Sequence, residues 1–263
     1  MTDAGAPLLE VRDVVVRFGG IVALGGVSFS VPPGRILGLI GPNGSGKTTL
    51  FNCLSRLYTP DAGEILFNQR SILSQPAHKM APIGLGRTFQ NVALFATLSV
   101  LQNIMLGGHC RSRSGPLSNA LRLPWVRTEE LEQEERAWEL IEYMGLGAVA
   151  HDAVAGLPFG TQKRVELARA LATDPSLLLL DEPAGGLNHD EVSQLEVLIR
   201  QIRDDRHVTV LLVEHHMSLV MRVSDSVVAL DFGRKIAEGT PGEVQRDPDV
   251  IRAYLGTDEN AAA

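Results

Sequence analysis

The sequence is poor in cysteine: Cys53 and Cys110 are the only two in 263 residues. Two cysteines make neither a disulfide framework nor a common zinc site, and they point to a reducing, cytoplasmic setting. Long apolar runs are also missing. The best stretches, at residues 36–40, 177–180 and 208–213, fall far short of the roughly 18 residues that span a bilayer. The N-terminal MTDAGAPLLEV has no basic segment leading into an apolar one, so no secretory signal is expected. Positive charge is not in excess either: 24 Lys and Arg against 31 Asp and Glu leave −7. That balance argues against holding nucleic acid by broad phosphate neutralisation and against a polybasic membrane-surface protein. A small anion pocket remains open, because it needs only local positive potential. No internal repeat is present, and no low-complexity tract beyond the terminal alanines 261–263.

What is present is an ordinary globular composition, 44% hydrophobic and 21% charged. At about 150 residues per domain this allows one or two domains. The 26 glycines cluster beside short apolar runs. Residues 9–16 and 27–31 read as strands from their β-branched content and alternation. A Pro-Pro-Gly turn at 32–34 leads to an apolar strand at 36–40, a glycine-rich loop and a helix over 47–57. A turn at 59–63 precedes a strand at 64–67. After Gly160 the alternation resumes, with helices at 162–173 and 191–203 and buried strands at 177–180 and 208–213. Short apolar strands alternating with helices predict a mainly parallel α/β sheet.

The middle, residues 91–159, differs in character. Residues 111–127 are basic, polar and proline-bearing and read as an excursion. Residues 128–144 read as a helix, with Leu131, Trp138, Ile141 and Met144 spaced for one face. Its acid-rich first turn suits the positive end of the helix dipole, and its acidic run is otherwise a solvated face.

The strongest motif is GPNGSGKT at residues 41–48. It matches G-x-x-x-x-G-K-[ST] in full, after an apolar strand and before a helix. Its glycines let backbone N–H groups curl around an anion, and the helix N-terminus adds its positive end. Lys47 can reach the β- and γ-phosphates of a nucleotide, and the Thr48 hydroxyl can bind Mg2+. The second motif is LLLLDEP at residues 177–183. A carboxylate closing an apolar strand suits Asp181 to hold the Mg2+, and Glu182, one position on, is placed to act as general base on an attacking water.

With these two motifs in place, the chain resembles an ABC-transporter ATP-binding subunit over about residues 8–256. The resemblance implies an α/β P-loop NTPase cassette with a mainly parallel core sheet, an N-terminal antiparallel β-subdomain and an inserted helical subdomain at 91–159. Residues 8–256 would form one nucleotide-binding domain, with flexible termini at 1–7 and 257–263. It implies ATP and Mg2+ as the bound species. The nucleotide would be held by Phe18, stacking on adenine, and by Gly41, Pro42, Asn43, Gly44, Ser45, Gly46, Lys47, Thr48 and Thr49. Gln90, within GRTFQN, would contact Mg2+ and the attacking water. His215, in VEHH, matches the histidine that contacts the γ-phosphate; a neutral imidazole can donate one hydrogen bond and accept another. The neighbouring His216 and His189 lack metal-ligand spacing and read as surface or interface histidines. Cys53 reads as a packing residue, and a core position is the competing reading for Phe18.

The segment that normally reads L-S-G-G-Q in this family is Leu157-Pro158-Phe159-Gly160-Thr161 here. Three of the five positions depart. In the family this segment donates to the partner's γ-phosphate across a dimer interface. Pro158 has neither hydroxyl nor N–H, whereas the Gly160 and Thr161 region keeps a helix N-terminus as donor. Asn188 stands where the family's D-loop carries aspartate, and it too can bond across an interface.

Further segments, among them PDAGE at 60–64, GRTFQNVALF at 86–95 and VIRAYLG at 250–256, resemble the ATPases of branched-chain amino-acid importers and the related urea and amide importers. The basic insertion at 109–127 falls where those subunits carry extra sequence. The implied protein powers such an importer by ATP hydrolysis, as a homodimer or heterodimer of ATPases docked on transmembrane permease subunits. It would lie on the cytoplasmic face of the membrane and work indirectly with a solute-binding protein, without nucleic acid. Asn91 and Phe95 are candidates for the permease contact. The competing readings are a lipid-exporter ATPase, a soluble non-transport ABC ATPase, and an accessory protein that binds ATP without turnover. An intact Glu182 and His215 oppose the last.

Overall fold

A computed structural model of the chain describes residues 6–90, 92–112 and 124–259. Asn91, with the permease contact expected of it, lies outside the described residues, as do residues 113–123 of the basic excursion and the ends of the chain at 1–5 and 260–263. The strands are β1 (Leu9–Phe18), β2 (Ile21–Val31), β3 (Ile36–Ile40), β4 (Ala62–Phe67), β5 (Arg70–Ser71), β6 (Leu85–Arg87), β7 (Leu177–Asp181), β8 (Thr209–Val213), β9 (Ser226–Asp231) and β10 (Arg234–Gly239). The helices are α1 (Lys47–Leu54), α2 (Val100–Gly108), α3 (Pro124–Tyr143), α4 (Phe159–Leu171), α5 (His189–Arg206), α6 (Met217–Val223), α7 (Pro241–Val244) and α8 (Pro248–Glu259). The chain divides into two compact units, Met1–Met80 with Leu179–Ala263, and Ala81–Leu178. The segment 91–159 falls inside the second, which reaches further in both directions because β6 packs on α4 and α4 on α2.

The first unit holds two sheets. One is antiparallel, in the order β2-β1-β4-β5. Along β1 the buried positions are Leu9 and Val11, then Val14 and Val16. The change of phase coincides with a register shift between Val11 and Val14, where Asp13 takes φ 46°. An extra residue there restores the inward face that strict alternation would have lost. β2 begins at Ile21, earlier than the 27–31 strand expected from sequence, because Gly25 and Gly26 interrupt the apolar pattern without ending the ladder with β1.

The other sheet runs β10-β9-β3-β8-β7 within this unit. β3 pairs in parallel with both β8 and β9, and β10 closes the edge as an antiparallel hairpin with β9. Every residue of β3, β7 and β8 is buried, which is why these strands read as continuous apolar runs rather than alternating ones. The α/β class expected from sequence is the class observed. Asp225 registers the sheet: its Oδ2 accepts the Ile36 N–H at 2.8 Å, and its own N–H donates to Ile36 O at 2.8 Å. α6 lies tight on β3. A Cβ on Gly38 would stand 2.4 Å from Val220 Cγ1 and 2.7 Å from Ser224 Oγ.

In the second unit α2 packs on α3 and α4. A capping box opens α2: Ser99 Oγ accepts the Gln102 N–H at 3.1 Å, and Gln102 Oε1 accepts the Ser99 N–H at 2.9 Å. Buried Asn103 bonds both the N–H and the C=O of Phe95 and so fixes the chain entering α2. Two expectations for the middle helix are corrected. α3 starts at Pro124, a residue suited to a first turn, so the glutamates begin in its second turn and no acidic residue occupies the first. Its buried face is Val126, Ala137, Leu140 and Ile141, followed by Met144, whereas Leu131 is 54% exposed. Among the described residues no helix is long and apolar enough to cross a membrane.

The close approach at Gly38 makes a direct prediction. Gly38→Ala forces α6 off β3 and should destabilise the fold by about 1–3 kcal/mol, the usual cost of overpacking, read as a lower urea midpoint with an unchanged slope.

Candidate active site

The loop between β3 and α1 is shaped by backbone conformations that side chains resist. Gly41 takes φ 151°, and a Cβ there would sit 2.2 Å from Leu230 O. Gly46, at φ 101°, stands at the N-cap of α1 without a side-chain cap. The first turn of α1 therefore presents backbone N–H groups that have no acceptor within the helix. Two contacts brace the loop. Gly233 N–H donates to Ser45 O at 3.0 Å, and Gly41 N–H donates to Tyr254 Oη at 2.8 Å. Neither was legible in sequence; the tyrosine comes from α8, more than two hundred residues away in the chain.

Lys47 is only 5% exposed. Its Nζ donates to Gly41 O at 2.7 Å, Pro42 O at 2.9 Å and Ser45 Oγ at 3.4 Å. Burial pulls its pKa down, while the Glu182 and Asp181 carboxylates act to raise it. Asn43, Gly44 and Thr48 are exposed, Pro42, Gly46 and Thr49 are half-buried, and Ser45 is buried. The cationic head is thus held by loop oxygens that accept from it, in the electrostatic reach of both strand-end acids.

Asp181 closes β7 and is 3% exposed. Glu182 follows at φ 47°, a left-handed conformation that is costly outside glycine. The Glu182 N–H donates to Val213 O at 2.9 Å, tying the end of β7 to the end of β8. From there Glu182 Oε1 meets His215 Nε2 at 2.5 Å. The two residues assigned to the water and the γ-phosphate are thus brought together. Glu214, between Val213 and His215, is 1% exposed. Its Oε1 accepts the Ala184 N–H at 2.6 Å, and its Oε2 accepts the N–H of His215 at 3.0 Å and of His216 at 3.4 Å. Burial pushes this carboxyl above the usual range, and the three backbone donors oppose that shift. Glu214 was not among the site residues expected from sequence, where its only signal is a charged residue ending an apolar run.

Phe18 ends β1 and is 48% exposed. The competing core reading is therefore wrong. Its ring and that of Tyr58 meet in a T-shaped pair, with centroids 5.4 Å apart and planes at 73°. His189 and His216 are exposed, and among the described residues no group of three His, Cys, Asp or Glu could hold a metal. Cys53 is fully buried, with its thiol pushed up to about 11 by that burial, a packing residue as expected. Asn188 caps α5: its Oδ1 accepts the Glu191 N–H at 3.0 Å, and Glu191 Oε2 accepts the Asn188 N–H at 2.9 Å.

In the second unit, Gln90 follows β6, is exposed, and its C=O accepts from Lys163 Nζ at 3.3 Å. The segment at 157–161 forms the start of α4. Pro158, at φ −54° and ψ 147°, is its N-cap, and Phe159, Gly160 and Thr161 make its first turn. The helix begins earlier than the expected residue 162, because Pro158 O accepts the Gln162 N–H and Gln162 Nε2 donates back to Leu157 O at 2.9 Å. The first-turn N–H groups of residues 159–161 are those a helix leaves without internal acceptors.

A glycine-cupped lysine, strand-end acids and a histidine just after the next strand define the ATP-binding cassette class of nucleotide hydrolases. Comparison with known proteins narrows this. Residues 24–185 match the ABC transporter family, and residues 234–260 match a family described as branched-chain amino acid ATP-binding cassette transporter. The chain is 42% identical over 250 residues, covering 95% of it and 98% of the relative, to the high-affinity branched-chain amino acid transport ATP-binding protein LivG of Escherichia coli. Among solved structures, the ADP conformation of MJ1267, an ATP-binding cassette of an ABC transporter, superposes with a TM-score of 0.83 at 30% identity, over 95% of this chain and 99% of that one. The dimeric bacterial ABC transporter cassette MJ0796 gives 0.75 at 25% identity, over 89% and 98%. The chain belongs to the ABC transporter family and is one of its ATPases.

Removing the Lys47 charge leaves the backbone cup without its cation. Lys47→Ala should weaken ATP binding about tenfold or more, the scale of a lost charge-assisted hydrogen bond, as measured by titration calorimetry.

Proposed function

We propose that this chain is the ATP-hydrolysing subunit of an importer for branched-chain amino acids or related small amides. The observation that carries this reading is the 42% identity with LivG over 95% of the chain together with the importer-type match at residues 234–260. An exporter or a soluble non-transport ATPase has no comparable observation in its favour.

The contact between Glu182 and His215 supports a division of labour. Glu182 takes a proton from the attacking water, and His215 holds the γ-phosphate and orients Glu182. Lys47 and the N–H groups at 44–49 bind the β- and γ-phosphates, with Gly41, Pro42 and Asn43 setting the path of the loop. Phe18, half-exposed at the end of its strand, stacks on adenine. The oxygen donor set of Thr48 and Asp181 suits a hard cation such as Mg2+, and the negative potential that Asp181 and Glu182 exert on Lys47 fits a cation there. When bound, Mg2+ neutralises charge on the β- and γ-phosphates. By resemblance Gln90 completes that shell.

The same reading places two cassettes head to tail, with Gly160, Thr161 and Asn188 of each facing the nucleotide of the other. Dimeric assembly in MJ0796 supports this. The first-turn donors of α4 replace the missing serine hydroxyl at Pro158. Closure of such a pair draws permease subunits together, and hydrolysis releases them, a gating cycle driven by the preference of ATP for the closed state. The chain then works at the cytoplasmic face of the membrane through those permeases, which in turn meet a solute-binding protein. Phe95, 55% exposed, is the described candidate for the docking contact.

Glu182→Gln keeps the shape and removes the base. Its steady-state ATP hydrolysis should fall below about 1% of wild type, within the range for a general base, and an ATP-bound dimer should accumulate on gel filtration; normal turnover would refute the assignment. Pro158→Ser restores a hydroxyl without disturbing an N-cap position, so hydrolysis should stay level or rise. A large loss would mean that the proline itself has a positive role.

A further inference from the structure

Glu214 is a buried carboxylate beside the site, with no part in the catalytic steps assigned to Glu182 and His215. Placing a carboxylate at 1% exposure is unfavourable unless its oxygens are bonded. Here they are bonded to two different loops. Oε1 takes the Ala184 N–H from the turn after β7, and Oε2 takes the His215 and His216 N–H groups from the loop after β8. One residue away, the Glu182 N–H donates to Val213 O. The left-handed Glu182 is therefore held on both flanks by the segment that carries His215. A non-glycine residue at φ 47° persists only where its surroundings over-determine it. Ala184 also begins the turn that runs to Asn188, since Leu187 N–H donates back to Ala184 O at 3.1 Å.

We propose that Glu214 is a positioning residue for hydrolysis, clamping the turn that carries Glu182 and leads to Asn188 onto the loop that carries His215, so that base and histidine keep their contact. This rests on the reading of Glu182 and His215 as the catalytic pair. The Glu214 oxygens are engaged by backbone N–H groups of these two loops, and the Lys47 cup is built from different residues. Loss of the clamp should therefore slow the chemical step and spare nucleotide binding.

Glu214→Gln tests this in the full-length chain. The carboxamide keeps the shape but turns an N–H2 toward backbone donors, so only one loop stays bonded. kcat should fall about tenfold or more, the scale of one unsatisfied buried group, with KM and the calorimetric ATP affinity within about twofold of wild type. Glu214→Asp, one methylene too short to reach both loops, should change the same parameter in the same direction, and it carries the test if the glutamine variant does not fold. A kcat within twofold of wild type in a folded variant would overturn the proposal, provided Glu182→Gln abolishes turnover in parallel. Losses of kcat, ATP affinity and thermal midpoint in step, or failure of both variants to fold, would assign Glu214 to the fold alone and overturn it equally. Should Glu182→Gln retain turnover, it is the reading of the catalytic pair that falls, and the clamp with it.

Discussion

Parallel pairing of buried strands is the constraint on which the rest depends. Because β3 runs parallel to β8, the chain leaves Ile40 and Val213 at the same edge of the sheet. The bond from Glu182 N–H to Val213 O brings the end of β7 to that edge as well. A glycine-rich loop and, well over a hundred residues later, an acid pair and a histidine thereby become neighbours. Such crevices at the carboxyl ends of parallel strands are where α/β sheets place their ligands. The apolar strands also pack the sheet on both faces, which keeps the strand ends in fixed register.

At that edge the backbone is held under constraint and the side chains are buried more than their charges favour. Lys47, Asp181 and Glu214 are all below a tenth exposed. Each is tolerated because another group meets it: loop carbonyls for the lysine, the lysine's own charge for the aspartate, and backbone N–H groups for Glu214. Low local dielectric strengthens these interactions and makes any unpaired member expensive. The result is a rigid arrangement in which each buried charge already has its partner.

Much of this is legible in the amino-acid sequence. The runs at 36–40, 177–180 and 208–213 are strands because no other short element hides a continuous apolar stretch on both sides. The phosphate loop is legible because its glycines, lysine and threonine act locally, within one turn of chain. Errors arose where a local pattern was overruled from outside. Leu131 matches the helical spacing yet faces solvent, because α3 begins four residues earlier and turns a different stripe toward α2. The register of β1 could not be read, since the irregularity at Asp13 is compensated by pairing with β2. Pro158, a weakened signature by composition, became the N-cap that starts α4 early.

The sequence alone determined the class of chemistry, because the residues read as phosphate-binding lie in one contiguous loop and its helix. It also determined the strand–helix order around the two motifs, at 36–67 and 162–213, since hydrophobic period is a local property. Only the tertiary structure decided which distant residues support that chemistry. Tyr254 under Gly41, Gly233 on Ser45 and Glu214 between two loops are contacts that depend on the fold. No periodicity or spacing encodes them; they exist because the sheet brings its strand ends together and leaves each buried polar group to find a partner there.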